Sequence, residues 1–507
     1  MDFLKSIRFN TAMVDMFNQS NITLTCVFIF TLIAIGVYRR RIRSKDQPPG
    51  PWGLPFVGYL PFFSKNPPRK CTQLAKTYGD IFCIQLGSWP TIVLNSRAAI
   101  REALVEQSDK FSDRPAFFSC KVVNNMRSLG FGSYNARWRL HSKIASTVLR
   151  EFASPNKPTT EKIIMMEAEK LTEYFLENTH TPFDPHEEIF LAVGSVVYQI
   201  CCGMDKDCRN DKGYLNLIKN TKMMQEFAGA GNPIDVMPWL RYVIPSKATR
   251  FVEILQTLMV STDAIMKEHI ETFDQKNLRD VADGLIFAEK KYCRNPTKNQ
   301  EITKSDIFST LQDFLGAGFD TSSSTLEWII LYLGHYQHIQ EKIQKEIDSV
   351  IGTRSVSLDD IGKLPFTEAT ILETQRISPV VPIGIPHATS KDTVLRNYRI
   401  NRGTVVLCNF YGTTRDSKVW KDPEIFKPER FLNDLGFINS SLENELLTFG
   451  TGRRRCPGDF IAKMELFLFL VNIFQKCKIK LISEANFEGI FGLTYSPRSY
   501  TIKVFER

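Results

Sequence analysis

The chain has no Cys-x-x-Cys pair anywhere in its 507 residues, and its eleven cysteines form no even framework. That excludes a disulfide scaffold and a structural zinc site, and it implies a reducing compartment. No Rossmann fingerprint occurs either, so the chain carries no flavin or nicotinamide site of its own. Any electrons it uses must come from another protein. The formal charge of +9 is modest and partly confined to one cluster, and no basic motif interleaved with aromatics accompanies it, which argues against nucleic-acid binding. There is no internal repeat, no low-complexity tract and no compositional break beyond the N-terminus. With 43% hydrophobic residues, the chain is expected to fold as one large domain around an ample core.

The N-terminus contains an apolar run from Ile22 to Tyr38, followed at once by Arg39, Arg40, Arg41, Arg43 and Lys45. The run is near the lower limit of the roughly 17 to 25 residues that span a bilayer. The positive-inside rule keeps the basic cluster cytosolic and puts residues 1–21 on the lumenal side. Arginines follow the run where a cleavage site would have small residues, so 22–38 reads as a retained transmembrane anchor. Asn18 and Asn21 head glycosylation sequons on the lumenal side. Residues 39–55, with Pro48-Pro-Gly-Pro51, form a basic, proline-stiffened hinge ahead of a catalytic body at 56–507.

Within that body, Asp80 to Ser96 alternates apolar and polar residues around Gly87-Ser-Trp-Pro90 and predicts a strand hairpin. Apolar residues at helical spacing predict helices over Glu161–Glu177, Ile307–Val350 and Phe366–Ser378. Strand signals return in Thr393–Leu407 and Ile490–Val504. The expected fold class is mainly α with small β-sheets.

The most informative segment is Phe449-Gly-Thr-Gly-Arg-Arg-Arg-Cys-Pro-Gly458. A thiolate bound to haem iron needs backbone N–H groups aimed at its sulfur, and Gly452 and Gly458 would let the chain turn tightly enough to supply them. Arg454 is placed to reach a haem propionate, Phe449 to shield the sulfur of Cys456, and Pro457 to fix the backbone entering the apolar helix Phe460 to Phe474. Here the chain resembles the cytochrome P-450 family, whose pattern F-x-x-G-x-R-x-C-x-G is matched at every fixed position. The resemblance covers nearly all of the chain after Pro48 and implies the cytochrome P-450 fold, with haem b held by the Cys456 thiolate.

Gly316-Ala-Gly-Phe-Asp-Thr321 resembles the family's distal helix motif A-G-x-[DE]-T. Its glycines cost about 1 kcal/mol each in a helix, so they need a packing or functional reason. Read functionally, Gly316 and Gly318 open a groove and the small residues, Ala317 among them, let dioxygen and water approach, while Asp320 and Thr321 relay protons that favour O–O cleavage over release of peroxide. Read structurally, the small residues pack against a neighbouring helix. Glu373 and Arg376 at i,i+3 match the family's E-x-x-R pair, and Arg430 in Pro428-Glu-Arg-Phe431 matches the arginine that joins it in a buried network. By the same resemblance Trp138 and His387 join Arg454 as propionate partners. One position departs: related enzymes carry arginine where this chain has Ser142, which leaves Lys143 or Arg139 to compensate from about 100° around the helix.

Gly229–Leu240, Ile385–Thr389 and Phe491–Thr494 look like the first family of microsomal enzymes, the aryl-hydrocarbon hydroxylases, with the steroid 17-hydroxylases as near relatives. That implies an endoplasmic reticulum membrane location and a lipophilic substrate, a steroid or an aromatic xenobiotic. Phe227, Phe117, Phe118, Phe131, Val381, Leu493 and Thr494 are the pocket candidates by position. Electrons would come from NADPH through a cytochrome P-450 reductase, with cytochrome b5 as a second donor. Arg137, Lys143, Arg453, Arg455 and Lys463 are expected to make a basic docking face for it. Two other readings remain open: a haem-binding sensor or carrier, and an oxygen-independent isomerase or dehydratase on the same fold.

Overall fold

The computed structural model describes residues 31, 46–63, 66–155, 157–203, 208–227, 233–293 and 302–507, with backbone alone at 225–227. Nearly all of the expected anchor and its basic cluster lie outside these residues. Among the described residues, no helix is long and apolar enough to cross a membrane.

The longer helices are α1 (Pro67–Tyr78), α2 (Ala136–Ala153), α3 (Pro158–Glu177), α4 (His186–Cys202), α5 (Lys212–Phe227), α6 (Pro245–Glu271), α7 (Val281–Tyr292), α8 (Lys304–His335), α9 (Gln337–Val350), α10 (Pro365–Ile377) and α11 (Asp459–Lys476). The core follows from their sequences. α4 is apolar on all sides, as are the second half of α8 and most of α11, and a helix of that kind must be buried all round. α8 therefore runs through the middle, packed along α4 and against α11, while α3 lies across both α4 and α11.

The stretch expected as a single helix over Ile307–Val350 is two. α8 starts at a capping box in which Thr303 and Asp306 satisfy each other's backbone N–H groups. It ends where Tyr336 leaves helical geometry, at φ −88° and ψ 74°. Gly334 lies two residues before the break, and the Gln340 amide donates to Leu333 O at 2.8 Å and to Ile479 O at 2.7 Å, taking up a carbonyl at the end of α8 and tying it to the C-terminal sheet.

The expected hairpin is present as β1 (Ile81–Leu86) and β2 (Trp89–Leu94), joined by the two-residue turn Gly87–Ser88. The C-terminal half adds β3 (His387–Ala388), β4 (Thr393–Leu395), β5 (Tyr398–Ile400) and β6 (Val405–Cys408), then β7 (Cys477–Leu481), β8 (Ile490–Phe491), β9 (Tyr495–Ser496) and β10 (Ile502–Glu506). The main sheet has the order β1-β2-β6-β3, with β2 and β6 parallel. This pairing returns the chain to the hairpin after the helical body and sets β3, with His387, beside the segment that follows Phe111.

Candidate active site

The cysteine loop is shaped by its backbone. Cys456 N–H donates to Phe449 O at 2.9 Å, closing the loop across Gly450 to Arg455. Gly452 has φ +73°, and a Cβ there would lie 1.9 Å from Leu104 O, so only glycine fits. Gly458 corrects the expectation for it: its φ is an ordinary −98° and a Cβ would meet open space. Its contribution is the N–H at the start of α11, which faces the thiol and favours the charged sulfur. Burial acts the other way and dominates, pushing the Cys456 thiol up. The side chain is nevertheless accessible. Ala317, in the middle of α8, is likewise exposed.

Next to the loop lies a cationic cradle. Arg454 is held by carbonyls: Nε to Ser112 O at 3.0 Å, Nη1 to Leu129 O at 3.1 Å and Nη2 to Gly132 O at 2.5 Å. Its guanidinium stacks 3.8 Å over the Trp138 ring, whose indole N–H donates to Leu129 O at 2.9 Å. Trp138 thus supports Arg454 by its face, with its one donor already engaged. Arg114, which the sequence reading did not single out, is held in the same way by Gly130 O, Ile385 O and Pro386 O, each at 2.9 Å. His387 Nδ1 donates to Phe111 O at 2.8 Å. Burial pulls Arg114 down to about 10, and burial together with repulsion from Arg114 pulls Arg454 and His387 well below their ordinary values. The nearest acid, Asp113, spends Oδ1 on the N–H groups of Arg114 and Tyr134. Among the described residues neither guanidinium has a carboxylate at ion-pair distance. Two buried cations whose donors end on neutral carbonyls suit a bound group with two carboxylates, as haem b has.

The second arginine cluster is closed on itself. Glu373 Oε1 and Oε2 receive Arg376 Nη2 and Nε at 2.9 and 2.7 Å, and Arg430 Nε lies 3.1 Å from Oε1. Lys427 N–H adds a fourth donor at 2.8 Å. Arg376 spends its remaining donors on Thr414 O, Pro423 O and Ile425 O.

On α8, Gly318 and Gly316 do different things. A Cβ on Gly318 would come within 2.8 Å of Val197 of α4, so this glycine permits close helix packing; at Gly316 a Cβ would meet nothing. The Thr321 hydroxyl donates to Ala317 O at 3.0 Å. Asp320 is pushed up by burial, opposed chiefly by the Thr494 hydroxyl that donates to its carboxylate. Asp320 and Thr494 lie in motifs 174 residues apart, with nothing local to join them. Asp313, two turns back along α8, accepts the N–H of Leu129 at 2.6 Å and is pushed up to about 7 by burial.

Among the pocket candidates, Phe117 and Phe131 share an apolar cluster with Ile383 and Phe491. Phe118 turns toward Phe251 of α6, their ring centres 6.2 Å apart. Val381 and Leu493 are half-buried, and Phe227 ends α5 with its side chain outside the described atoms. The basic face is smaller than expected. Arg137 is buried against Asp306 at 3.1 Å, where a buried carboxylate needs it. Arg455 pairs with Asp459 at 2.5 Å and Lys463 with Glu443 at 3.1 Å. Arg139, Ser142, Lys143 and Arg453 line a surface concavity of about 300 Å³ with Tyr134 and Trp138.

The family model described as Cytochrome P450 matches residues 48–504. The chain is 35% identical to cytochrome P450 1A1 of Cavia porcellus over 485 residues, 92% of this chain and 93% of that one. It is 36% identical to cytochrome P450 1A5 of Gallus gallus over 463 residues, covering 88% and 87% of the two chains. With cytochrome P450 1A1 of Homo sapiens it shares 34% identity over 464 residues, 89% and 90%.

Proposed function

Because the chain belongs to the cytochrome P450 family and is a haem-thiolate monooxygenase, we propose that it inserts one oxygen atom of O2 into a lipophilic, flat small molecule, an aromatic xenobiotic or a steroid. The observation that carries this reading is the accessible Cys456 thiol beside the Arg114–Arg454 cradle. Bound there, haem b supplies oxygen activation at an iron whose electron density is raised by the Cys456 sulfur. The protein's part is positional. The Gly458 N–H moderates the basicity of the sulfur, while Arg114 and Arg454 would hold the two carboxylates. His387 donates Nδ1–H to a carbonyl, so it contributes a second donor only when protonated. Burial favours proton uptake by Asp320, whose carboxylate accepts from the Thr494 hydroxyl, and the Thr321 hydroxyl stands one residue away to pass a proton on. The aromatic wall of Phe117 and Phe131 favours a flat, apolar ligand and keeps water out.

Electrons come from a membrane-bound NADPH-dependent flavoprotein reductase, with cytochrome b5 as a second donor. Arg139, Lys143 and Arg453, which have no acidic partner among the described residues, are the steering charges for it. An endoplasmic reticulum membrane site is supported by the apolar run 22–38 and by exposed apolar side chains on two segments that abut the β1–β2 hairpin. Trp52, Phe56 and Phe62 lie on one, Trp239, Tyr242 and Val243 on the other.

Turnover with reductase, NADPH and isotopically labelled dioxygen tests the reading. One labelled oxygen atom in a hydroxylated planar aromatic or steroid supports it. Binding without oxygen incorporation across both substrate classes contradicts it.

A further inference from the structure

Behind Asp320, three charged side chains run from the surface to the middle of α8. Glu327 lies two turns beyond Asp320 on the same helix face, about 10 Å along the axis. It is buried, at 1% exposure. Its Oε1 is 2.8 Å from Nδ1 of His186, the first residue of α4. The other ring nitrogen, Nε2, is 3.2 Å from Nζ of Lys222, an exposed residue of α5. A lysine ammonium can only donate, so Nε2 accepts and the ring proton sits on Nδ1, facing Glu327. An imidazole held in this way gains a proton at one nitrogen and releases one at the other.

Structure alone gives little reason for this pair. A carboxylate buried in a helix costs several kcal/mol to desolvate. Oε1 of Glu327 meets Nδ1 of His186 at 2.8 Å, and Oε2 has no hydrogen-bond partner among the described residues. α4 and α8 already pack through apolar side chains and the close approach at Gly318. The other groups facing the line are few. Asp184 accepts from His186 N–H at 3.0 Å and from the Ser499 hydroxyl at 2.6 Å. The Tyr500 hydroxyl donates to Glu327 O at 2.9 Å. Burial pushes Glu327 up, while Glu327 in turn raises His186. The positive charges of His186 and Lys222 both reach Asp320 and favour its ionised form.

We propose that Lys222, His186 and Glu327 form a proton-uptake line that controls the charge beside Asp320, making them positioning residues for proton supply at the distal groove. This rests on the monooxygenase reading. A proton from solvent enters by Lys222 at Nε2 of His186, the Nδ1 proton passes to Glu327 Oε1, and only N–H and O–H bonds are exchanged. Each proton the line gains adds positive charge near Asp320 and loosens its hold on its own proton.

Infrared pH titration of the haem-loaded full chain tests this, with the Asp320 carboxyl band assigned by its loss in Asp320→Asn. Glu327→Gln removes a negative neighbour and should lower the Asp320 midpoint; His186→Gln removes a positive one and should raise it. Hydrogen-to-deuterium exchange at the Glu327 carboxyl band should slow several-fold in His186→Gln. In His186→Lys the charge returns without the relay, so the midpoint should recover while exchange stays slow. A mere tether between α4 and α8 would lower thermal stability yet leave midpoint and exchange unchanged, and that result overturns the proposal. Both readouts are taken without turnover. Unshifted midpoints in protein that shows a thiolate-haem spectrum overturn this line alone, whereas absence of that spectrum overturns the monooxygenase reading beneath it.

Discussion

Two buried arginine clusters differ in one respect, the presence of an acid. Glu373 closes the first, taking Arg376, Arg430 and the Lys427 N–H, so that every charge has an opposite. In the second, Arg114 and Arg454 end on backbone carbonyls and repel each other, and His387 beside them is driven toward its neutral form. A fold has no use for uncompensated buried cations on its own account. The first cluster reads as architecture and the second as a binding site, although both look alike in composition.

The largest expected effect falls on the closed cluster. Glu373→Ala strands two guanidiniums and should cost about 3 to 5 kcal/mol in denaturant unfolding, enough to yield misfolded or haem-free protein. A loss within the ±0.5 kcal/mol typical of surface changes would break the comparison. Arg454→Gln should behave differently, since it relieves repulsion in the haem-free chain while removing a charged donor from the bound group. Haem retention should weaken by about 1.5 to 3 kcal/mol, read as transfer to an apo acceptor, with no fall in the thermal stability of the haem-free chain. A drop in apo stability matching that of Glu373→Ala would place Arg454 in the architecture instead.

Thr321→Ala probes a side chain whose hydroxyl is satisfied within its own helix. Its removal should leave stability almost unchanged, raise the share of reducing equivalents released as hydrogen peroxide and lower product. Unaltered coupling would remove Thr321 from the proton route. Glu465 offers the smallest and most sign-specific test. It is buried on α11 with Oε1 unpartnered, and burial pushes it up to about 8, opposed by Ser322. Because the folded value lies above the ordinary 4.5, the folded chain holds the proton more tightly, and the resulting stability is complete below 4.5 and lost as pH rises through about 8. Glu465→Gln, a neutral mimic, should match the parent in acid and become the more stable protein in alkali, as thermal melts across that range would show. A constant difference at all pH values would contradict it.

Local, fixed spacing made the cysteine loop and the β1–β2 hairpin legible in the sequence, whereas the Glu373–Arg376 pair was singled out by family resemblance. The loop and the hairpin each join residues no more than 13 positions apart. What was missed depends on distance along the chain. Arg114 sits in the short run Phe111-Ser-Asp-Arg-Pro115, but the carbonyls that reveal its role come from Gly130, Ile385 and Pro386. An arginine locked before a proline was the only local hint. The burial of Arg137 against Asp306 and the contact of Thr494 with Asp320 likewise join separate motifs. The α8–α9 break at Tyr336 was illegible because a lone Gly334 is a weak stop signal and the amide bonds from Gln340 that satisfy the end of α8 reach a distant strand.

The absorption spectrum of the reduced, carbon monoxide-bound protein, compared between the parent and Cys456→Ser, tests the central claim most directly. A strongly red-shifted Soret band in the parent that vanishes in the variant is the predicted result. A histidine-like band in the parent, or no bound haem, would contradict the assignment of Cys456 as the axial thiolate.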